Sequence, residues 1–74
     1  MEEAFKSFGT NLRRIRLEKG LTQTALSKIT GITINSFSSW ETFRQYPHEY
    51  AAKKVADALG VTLEEMMKPT EEKK

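Results

Sequence analysis

The chain has 74 residues, which suffices for one small domain. Its formal net charge of +2 is too small to identify a partner. It contains no cysteine, so it holds neither a disulfide nor a thiolate metal site, which is compatible with a reducing cytoplasm. No apolar run is long enough to span a membrane, and the acidic start of the chain does not resemble a signal peptide.

The spacing of apolar residues predicts an all-α domain of five helices without a strand. In the first helix Phe8, Leu12 and Ile15 recur on one face, and Phe5 extends this stripe towards the N-terminus. A basic last turn and a C-cap glycine, Lys19–Gly20, are predicted to end the helix.

Two short helices are predicted next, from Gln23 to Thr30 and from Ile34 to Glu41. Thr22 and Thr33 stand where the N-caps of these helices belong. Gly31 supplies the turn between them, because glycine enters the left-handed region without steric cost.

Each of these two helices is predicted to have an apolar face and a polar face. The residues expected to pack inwards are Ala25, Leu26, Ile29, Phe37 and Trp40. The residues expected on the outer face of the second helix are Asn35, Ser36, Ser38 and Ser39. A short helix with a packed back and a small polar front is able to enter a DNA major groove and reach base edges.

The fourth helix is predicted from Pro47 or His48 to Leu59, because proline fits a first helical turn and Gly60 stops the helix. Its inner face would carry Ala52, Val55, Ala56 and Leu59.

Thr62 and Glu65 predict a capping box for a last helix through Met67, which Pro69 ends. We therefore expect residues 1–68 to form the domain, with the two-helix segment at residues 22–41. Residues 69–74 are expected to form a disordered charged tail.

The basic residues are concentrated in the first part of the chain. Between Phe5 and Lys54 nine residues are basic and three are acidic, whereas the remainder has three basic and seven acidic residues. The basic part coincides with the two short helices, as expected of a surface that binds phosphates, although such asymmetry also arises by chance in short chains.

Several short motifs follow one another in a fixed order and carry a family resemblance. They are Leu12–Arg16, Lys19–Gly20, Leu21–Gln23, Leu26, Gly31–Thr33, Ser38, Trp40–Glu41, Pro47 and Ala56–Met66. Together they resemble the lambda-repressor/Cro-like helix-turn-helix family, of the xenobiotic-response-element type. The resemblance covers about Phe8 to Met67, and its specificity lies in the ordered set, since no single motif is rare.

The resemblance implies a compact five-helix lambda-repressor-like domain that binds double-stranded DNA sequence-specifically as a transcriptional regulator. It further implies a repressor, acting as a homodimer on an inverted-repeat operator, in the cytoplasm and associated with the nucleoid. No enzymatic activity, cofactor, metal or small-molecule ligand is expected. A protein-interaction module on the same fold that has lost DNA binding is the alternative, because the third helix has small side chains and an apolar Ile34.

The start of the third helix would read bases, with Thr33, Ile34, Asn35, Ser36 and Ser39 as candidates. Asn35 is able to pair with the N6 and N7 edge of adenine. Ile34 departs from the polar or basic residue that is usual in the family. It could contact a thymine methyl group, lie buried under the first helix, or belong to a partner surface.

The resemblance also implies phosphate contacts on both sides of this helix. The candidates are Thr22, Gln23, Arg16, Ser38, Thr42 and Arg44. Gln23 begins a helix whose free N–H groups and dipole favour an anion. Arg16 and Glu41 correspond to positions that pair in the family, and the pair would lock the third helix and present Arg16 to a phosphate.

Two surfaces are candidates for a weak homodimer contact. One is the last helix, with Leu63, Met66 and Met67; the other is an aromatic group, Phe43, Tyr46 and Tyr50, which could equally be a satellite core. Phe43 also replaces a glycine of the family that has a positive φ, a conformation that phenylalanine tolerates poorly. The conformation of the loop that carries Arg44 is therefore open.

Overall fold

The structure, a computed structural model, describes residues 2–69, with side chains described from Ser7 onwards. Its helices are α1 (Glu2–Glu18), α2 (Gln23–Thr30), α3 (Ile34–Glu41), α4 (Glu49–Leu59) and α5 (Leu63–Met67). The predicted all-α class with five helices is confirmed, and residues 2–69 contain no strand. The expected packing of the Phe5 side chain and the proposed disorder of residues 70–74 lie outside the described residues.

The helix-turn-helix segment begins and ends where its capping residues predict. Thr22 accepts a hydrogen bond from the backbone N–H of Ala25 at 3.0 Å, and Thr33 accepts one from that of Ser36 at 3.3 Å. Gly31 has a φ of 78°, and its N–H donates to the carbonyl of Ser27 at 2.7 Å. These local bonds satisfy orphan groups at the helix ends and fix the angle between α2 and α3.

The start of α4 differs from the prediction, because the helix begins at Glu49 and not at Pro47 or His48. The carbonyl of His48 accepts the first helical bond, from the N–H of Ala52 at 2.8 Å, while the backbone of His48 is extended. His48 is therefore the N-cap, and Pro47 lies buried in the preceding loop.

The last helix is held at both ends. The predicted capping box is present: Thr62 accepts from the N–H of Glu65 at 3.0 Å, and Glu65 accepts from the N–H of Thr62 at 2.9 Å. At the other end, the amide of Asn11 in α1 donates to the carbonyls of Met66 and Lys68 at 2.8 Å each. Asn11 is buried, and its bonds join α1 to the C-terminal end of α5.

One hydrophobic core lies between the helices, with α1 packed on α3 and α5, and α4 packed on α2 and α5. Its members are Phe8, Leu12, Ile15, Leu26, Phe37, Trp40, Ala52, Val55, Ala56, Leu59 and Met66. The ring of Trp40 makes edge-to-face contacts with Phe8, at 5.9 Å between centroids, and with Phe37, at 5.5 Å. None of the described helices combines the length and the hydrophobicity needed to cross a membrane.

The predicted inner face of α2 is wrong at one residue, since Ile29 is 59% exposed and Thr30 is buried in its place. Successive residues turn by about 100° around a helix, so Thr30 stays close to the direction of Leu26 whereas Ile29 turns away on the other side. The hydroxyl of Thr30 donates to the carbonyl of Leu26 at 2.8 Å and accepts from the N–H of Ile32 at 3.1 Å. These two bonds allow a polar residue to be buried at this position.

Candidate nucleic-acid interface

Arg16 of α1 and Glu41 at the end of α3 form a bidentate ion pair. Nε of Arg16 donates to Oε2 of Glu41 at 2.9 Å, and Nη2 donates to Oε1 at 3.0 Å. Nη1 donates to the carbonyl of Leu21, just before α2, at 2.7 Å. Arg16 is 7% exposed, and a charge at such burial requires a partner with this geometry.

Gln23, the first residue of α2, joins the same carboxylate. Its Nε2 donates to Oε1 of Glu41 at 3.3 Å, so three helices meet at this one carboxylate. An amide nitrogen has a second proton, which this contact leaves for an anion at the start of α2. Thr22 beside it is exposed, and its cap bond uses the hydroxyl only as an acceptor.

Burial restricts the direct phosphate contact of Arg16 that the resemblance implies, and this contact stays a prediction. Nε uses its single proton on Glu41, whereas Nη1 and Nη2 each keep a second proton beside their bond to a protein oxygen. The side chain is buried, so a phosphate would have to reach these two protons at the edge of the group. Arg16 also positions its neighbours, since it holds the end of α3 against α1 and against the turn before α2.

The first turn of α3 is turned towards solvent. Thr33, Ile34 and Asn35 are exposed and Ser36 is half-buried. The hydroxyls of Thr33 and Ser36 form a hydrogen bond, with their oxygens 3.0 Å apart. Among the candidate base-reading residues of this turn, Ile34 and Asn35 have no such bond to a described residue.

The exposure of Ile34 removes one of its three interpretations. The residue is 42% exposed, so it does not lie buried under α1. A contact with a thymine methyl group and a contact with a partner protein both require an accessible side chain, and both are compatible with this position.

The remaining phosphate candidates lie on the last turn of α3 and in the tight turn that follows it. The hydroxyl of Thr42 donates to the carbonyl of Ser38 at 2.7 Å, and the N–H of Arg44 donates to the carbonyl of Ser39 at 2.8 Å. The side chains of Ser38, Thr42 and Arg44 are exposed, whereas Ser39 is half-buried. The turn therefore follows the last turn of α3 directly and displays Arg44 beside it.

Phe43 adopts the conformation that a glycine was expected to supply, with a φ of 65°. Its ring packs against Gly9 of α1, where an added Cβ would come within 2.9 Å of the ring and would overlap the carbonyl oxygen of Trp40. The contact with α1 offsets the cost of a positive φ in a bulky residue. The loop that carries Arg44 is thus fixed to α1 at a residue without a side chain.

The two candidate dimer surfaces adjoin one another, and one of their members is excluded. Met66 is 0% exposed and belongs to the core, so it does not form part of an outer surface. Leu63 and Met67 are half-buried, and the hydroxyl of Tyr46 donates to the sulfur of Met67 at 3.5 Å. Tyr50 is exposed.

Two residues that support the interface were missed by sequence reasoning. The bonds of Asn11 run to residues 54 to 57 positions away, so no local pattern indicates them. Gly9 could have been predicted, because a glycine inside a helix lowers the stability of the helix by about 1 kcal/mol relative to alanine. A glycine at such a position therefore indicates a close packing contact.

The sequence and the fold are similar to those of known proteins. The model of the family described as helix-turn-helix matches residues 12–66. An uncharacterised HTH-type transcriptional regulator, y4dJ of Sinorhizobium fredii, is 39% identical over 67 residues, which are 90% of this chain and 87% of that protein.

Solved structures show the same arrangement of helices. A hypothetical transcription factor of Neisseria, NHTF, has a TM-score of 0.85 at 27% identity, covering 93% of this chain and 80% of that one. The restriction-modification controller protein C.AhdI of Aeromonas hydrophila has a TM-score of 0.78 at 27% identity, covering 84% and 94%. The match of the family model over most of the chain, together with the regulator that is similar along nearly its whole length, shows that this chain belongs to the helix-turn-helix family of DNA-binding transcription regulators.

Proposed function

We propose that this chain binds double-stranded DNA sequence-specifically and acts as a transcriptional repressor, as a homodimer on an inverted-repeat operator. The observation that carries the proposal is the exposed first turn of α3, in a helix whose other end is bound to α1 and α2 through Arg16, Glu41 and Gln23. A recognition element has to be exposed in front and fixed behind, because a base contact depends on placement within a fraction of an ångström.

In this proposal the residues of α3 divide into readers and supports. Asn35 pairs with an adenine edge, and Ile34 supplies an apolar contact. Thr33 and Ser36 hold one another and mainly fix the helix start, with their hydroxyls able to accept or donate one further bond to DNA. Ser39, half-buried one turn after Asn35, contributes a peripheral contact.

Phosphate contacts on both sides of α3 would set the register of the domain on the duplex. Thr22 and Gln23 bind a phosphate together with the free N–H groups at the start of α2. Ser38 in the second half of α3, and Thr42 and Arg44 just after it, bind the DNA backbone on the other side, because all three are exposed.

A homodimer follows from the small size of the interface. One helix-turn-helix contacts a few base pairs, which is too little information to single out one site in a genome. Two copies related by a dyad double that information and require an inverted repeat with half-sites about 34 Å apart. The surface of Leu63 and Met67 with the adjoining Tyr46 offers apolar side chains for such a contact.

Repression is the form of regulation that needs least from a domain of this size. A protein bound over a promoter excludes polymerase by occupying the same DNA, and this requires no contact with polymerase. An activator would need a further surface of defined chemistry in addition to the DNA-binding one.

The experiment that tests the function is the selection of bound duplexes from a random pool, followed by footprinting on the selected site. We expect a site with two inverted half-sites, protected on one face of the duplex. Binding without sequence preference would contradict the operator function. Absence of duplex binding at low salt would favour the interaction module, in which the exposed Ile34 and Ile29 bind protein.

A further inference from the structure

We propose that Ile34 reads the C5 methyl group of a pyrimidine in the major groove, so that a methyl-bearing pyrimidine is preferred at one position of each half-site. This inference rests on the proposed DNA-binding function and adds to it the chemical identity of one base group that α3 recognises.

The position of Ile34 leaves a large part of its side chain in solvent. It is the first residue of α3, directly after the cap residue Thr33, and it is 42% exposed. The residue one helical turn further on the same face is Ser38, which is exposed and too small to cover it. An apolar side chain thus stands at the tip of a helix whose other outward residues are polar.

The chemistry of the major groove offers one kind of apolar partner for such a side chain. The base edges there carry hydrogen-bond donors and acceptors, and the single apolar group is the C5 methyl of thymine. A polar base edge placed against Ile34 would lose its bonds to water without gaining a replacement. Against a methyl group, both surfaces leave water favourably.

The neighbouring side chains influence which base group Ile34 meets. The hydroxyls of Thr33 and Ser36 are hydrogen-bonded to each other, with their oxygens 3.0 Å apart, so they offer fewer bonds to a polar base edge than two unpaired hydroxyls would. Asn35 is left to read adenine, and Ile34 is left to read a methyl group in the same half-site. Thymine and 5-methylcytosine carry the methyl group at the same ring position, so both present the chemistry that Ile34 fits.

The test uses uracil, which pairs like thymine but lacks the methyl group. The full chain selects a site from a random duplex pool, and each thymine of that site is then replaced singly by uracil. We expect affinity to fall about three- to ten-fold at one position of each half-site, the loss that follows from exposing about one buried methyl group and part of its surroundings.

Two matched variants assign the effect to one side chain. Ile34→Ala should lose most of the wild-type difference between the thymine and uracil duplexes at that position, because the shorter side chain leaves the methyl group largely exposed. Ile29→Ala removes the other exposed isoleucine of the helix-turn-helix segment and should keep the wild-type difference. Circular dichroism checks that both variants remain helical, as expected for exposed residues.

Each result decides the inference. A selected site at which no uracil changes affinity more than two-fold would overturn the methyl contact alone, and so would an Ile34→Ala variant that keeps the wild-type difference between thymine and uracil. Failure to select any specific site would overturn the operator function and the inference with it. At the sensitive position, tighter binding of 5-methylcytosine than of cytosine would show that the methyl group is read in either base, whereas equal binding would assign the contact to thymine.

Discussion

Gly9 lies inside α1 at a place where helix propensity alone favours almost any other residue. Propensity predicts that Gly9→Ala stabilises the helix by about 1 kcal/mol. The added Cβ would overlap the carbonyl oxygen of Trp40, a backbone atom that moves only if α3 moves, and would press on the ring of Phe43. We expect the steric term to win, with the free energy of unfolding lowered by about 1–3 kcal/mol in urea denaturation.

Thr10→Ala is the matched control for this substitution, because Thr10 is the next residue of α1 and is half-buried. It should change the free energy of unfolding by no more than about 0.5 kcal/mol. A Gly9→Ala variant that is more stable than the wild type would contradict the close approach of α1 and α3.

Asn35 and Arg44 are expected to separate the reading of bases from the binding of phosphates. Asn35→Ala should cost about 1–3 kcal/mol of binding free energy on the selected site and relax the preference at one base pair, with random duplex bound nearly as before. Arg44→Ala should weaken selected and random duplexes alike, because a phosphate carries no sequence information. Titrations of both variants on both duplexes measure this. If Asn35→Ala lost the same affinity for the selected and the random duplex, Asn35 would not belong to the base-reading surface.

At the scale of the helices, the bond between Arg16 and Glu41 determines how α3 is presented. Glu41→Ala would leave the buried guanidinium without its carboxylate, and we expect the free energy of unfolding to fall by about 3 kcal/mol or more. DNA affinity should fall as well, since the end of α3 and the side chain of Gln23 both lose their anchor. Urea denaturation and duplex titration measure the two effects.

The other ion pair of α1 gives the control for this prediction. Arg14 and Glu18 lie 3.3 Å apart with both side chains about half exposed, so Glu18→Ala should cost no more than about 0.5 kcal/mol. Glu41→Gln keeps the size of the side chain and serves if Glu41→Ala does not fold. Equal stability of Glu41→Gln and the wild type would show that the charge of Glu41 is not needed.

Helix boundaries could be predicted wherever the caps are local. Thr22, Gly31 and Thr33 fixed the bounds of α2 and α3, because each acts on a residue within four positions of itself. The start of α4 could not be read in this way, since His48 caps it without a side-chain bond and Pro47 is fixed by burial in the loop.

Contacts between helices were predicted only where the resemblance supplied them. The pairing of Arg16 with Glu41, 25 positions apart, came from the resemblance, and no periodicity contains it. The packing of Phe43 on Gly9 and the bonds of Asn11 to the end of α5 depend on how whole helices meet. The burial of Thr30 in place of Ile29 likewise depends on how helices meet, because the neighbouring helices determine which face of α2 is packed.

At the scale of the whole molecule, the uneven charge predicts a binding strength that depends on salt. Between Phe5 and Lys54 basic residues outnumber acidic ones by nine to three. If a dimer neutralises about five to eight phosphates, the logarithm of the binding constant should fall with the logarithm of salt concentration at a slope of roughly −4 to −7. Lys68→Ala, in the acidic part, should leave the slope unchanged, whereas a flat dependence in the wild type would speak against phosphate binding.

The two candidate dimer surfaces predict different effects of substitutions on cooperative DNA binding. Met67 is half-buried beside Tyr46 on one surface, whereas Tyr50 is the most exposed aromatic residue of the other. Met67→Glu places a charge on the first surface at a half-buried residue at the edge of the core, whereas a change at the fully buried Met66 would disrupt the core itself. We expect Met67→Glu to abolish cooperative binding to the two half-sites and to leave the monomer helical by circular dichroism.

Tyr50→Glu places the same charge on the other surface and should leave cooperativity intact. If Tyr50→Glu abolished cooperative binding and Met67→Glu did not, the dimer contact would lie at the start of α4. Because the surface around Met67 is small, the dimer should be weak in solution and tightened by DNA, since each copy that binds a half-site raises the local concentration of its partner. Sedimentation with and without the operator duplex measures this difference, and a selected site without inverted symmetry would remove the reason for a dimer altogether.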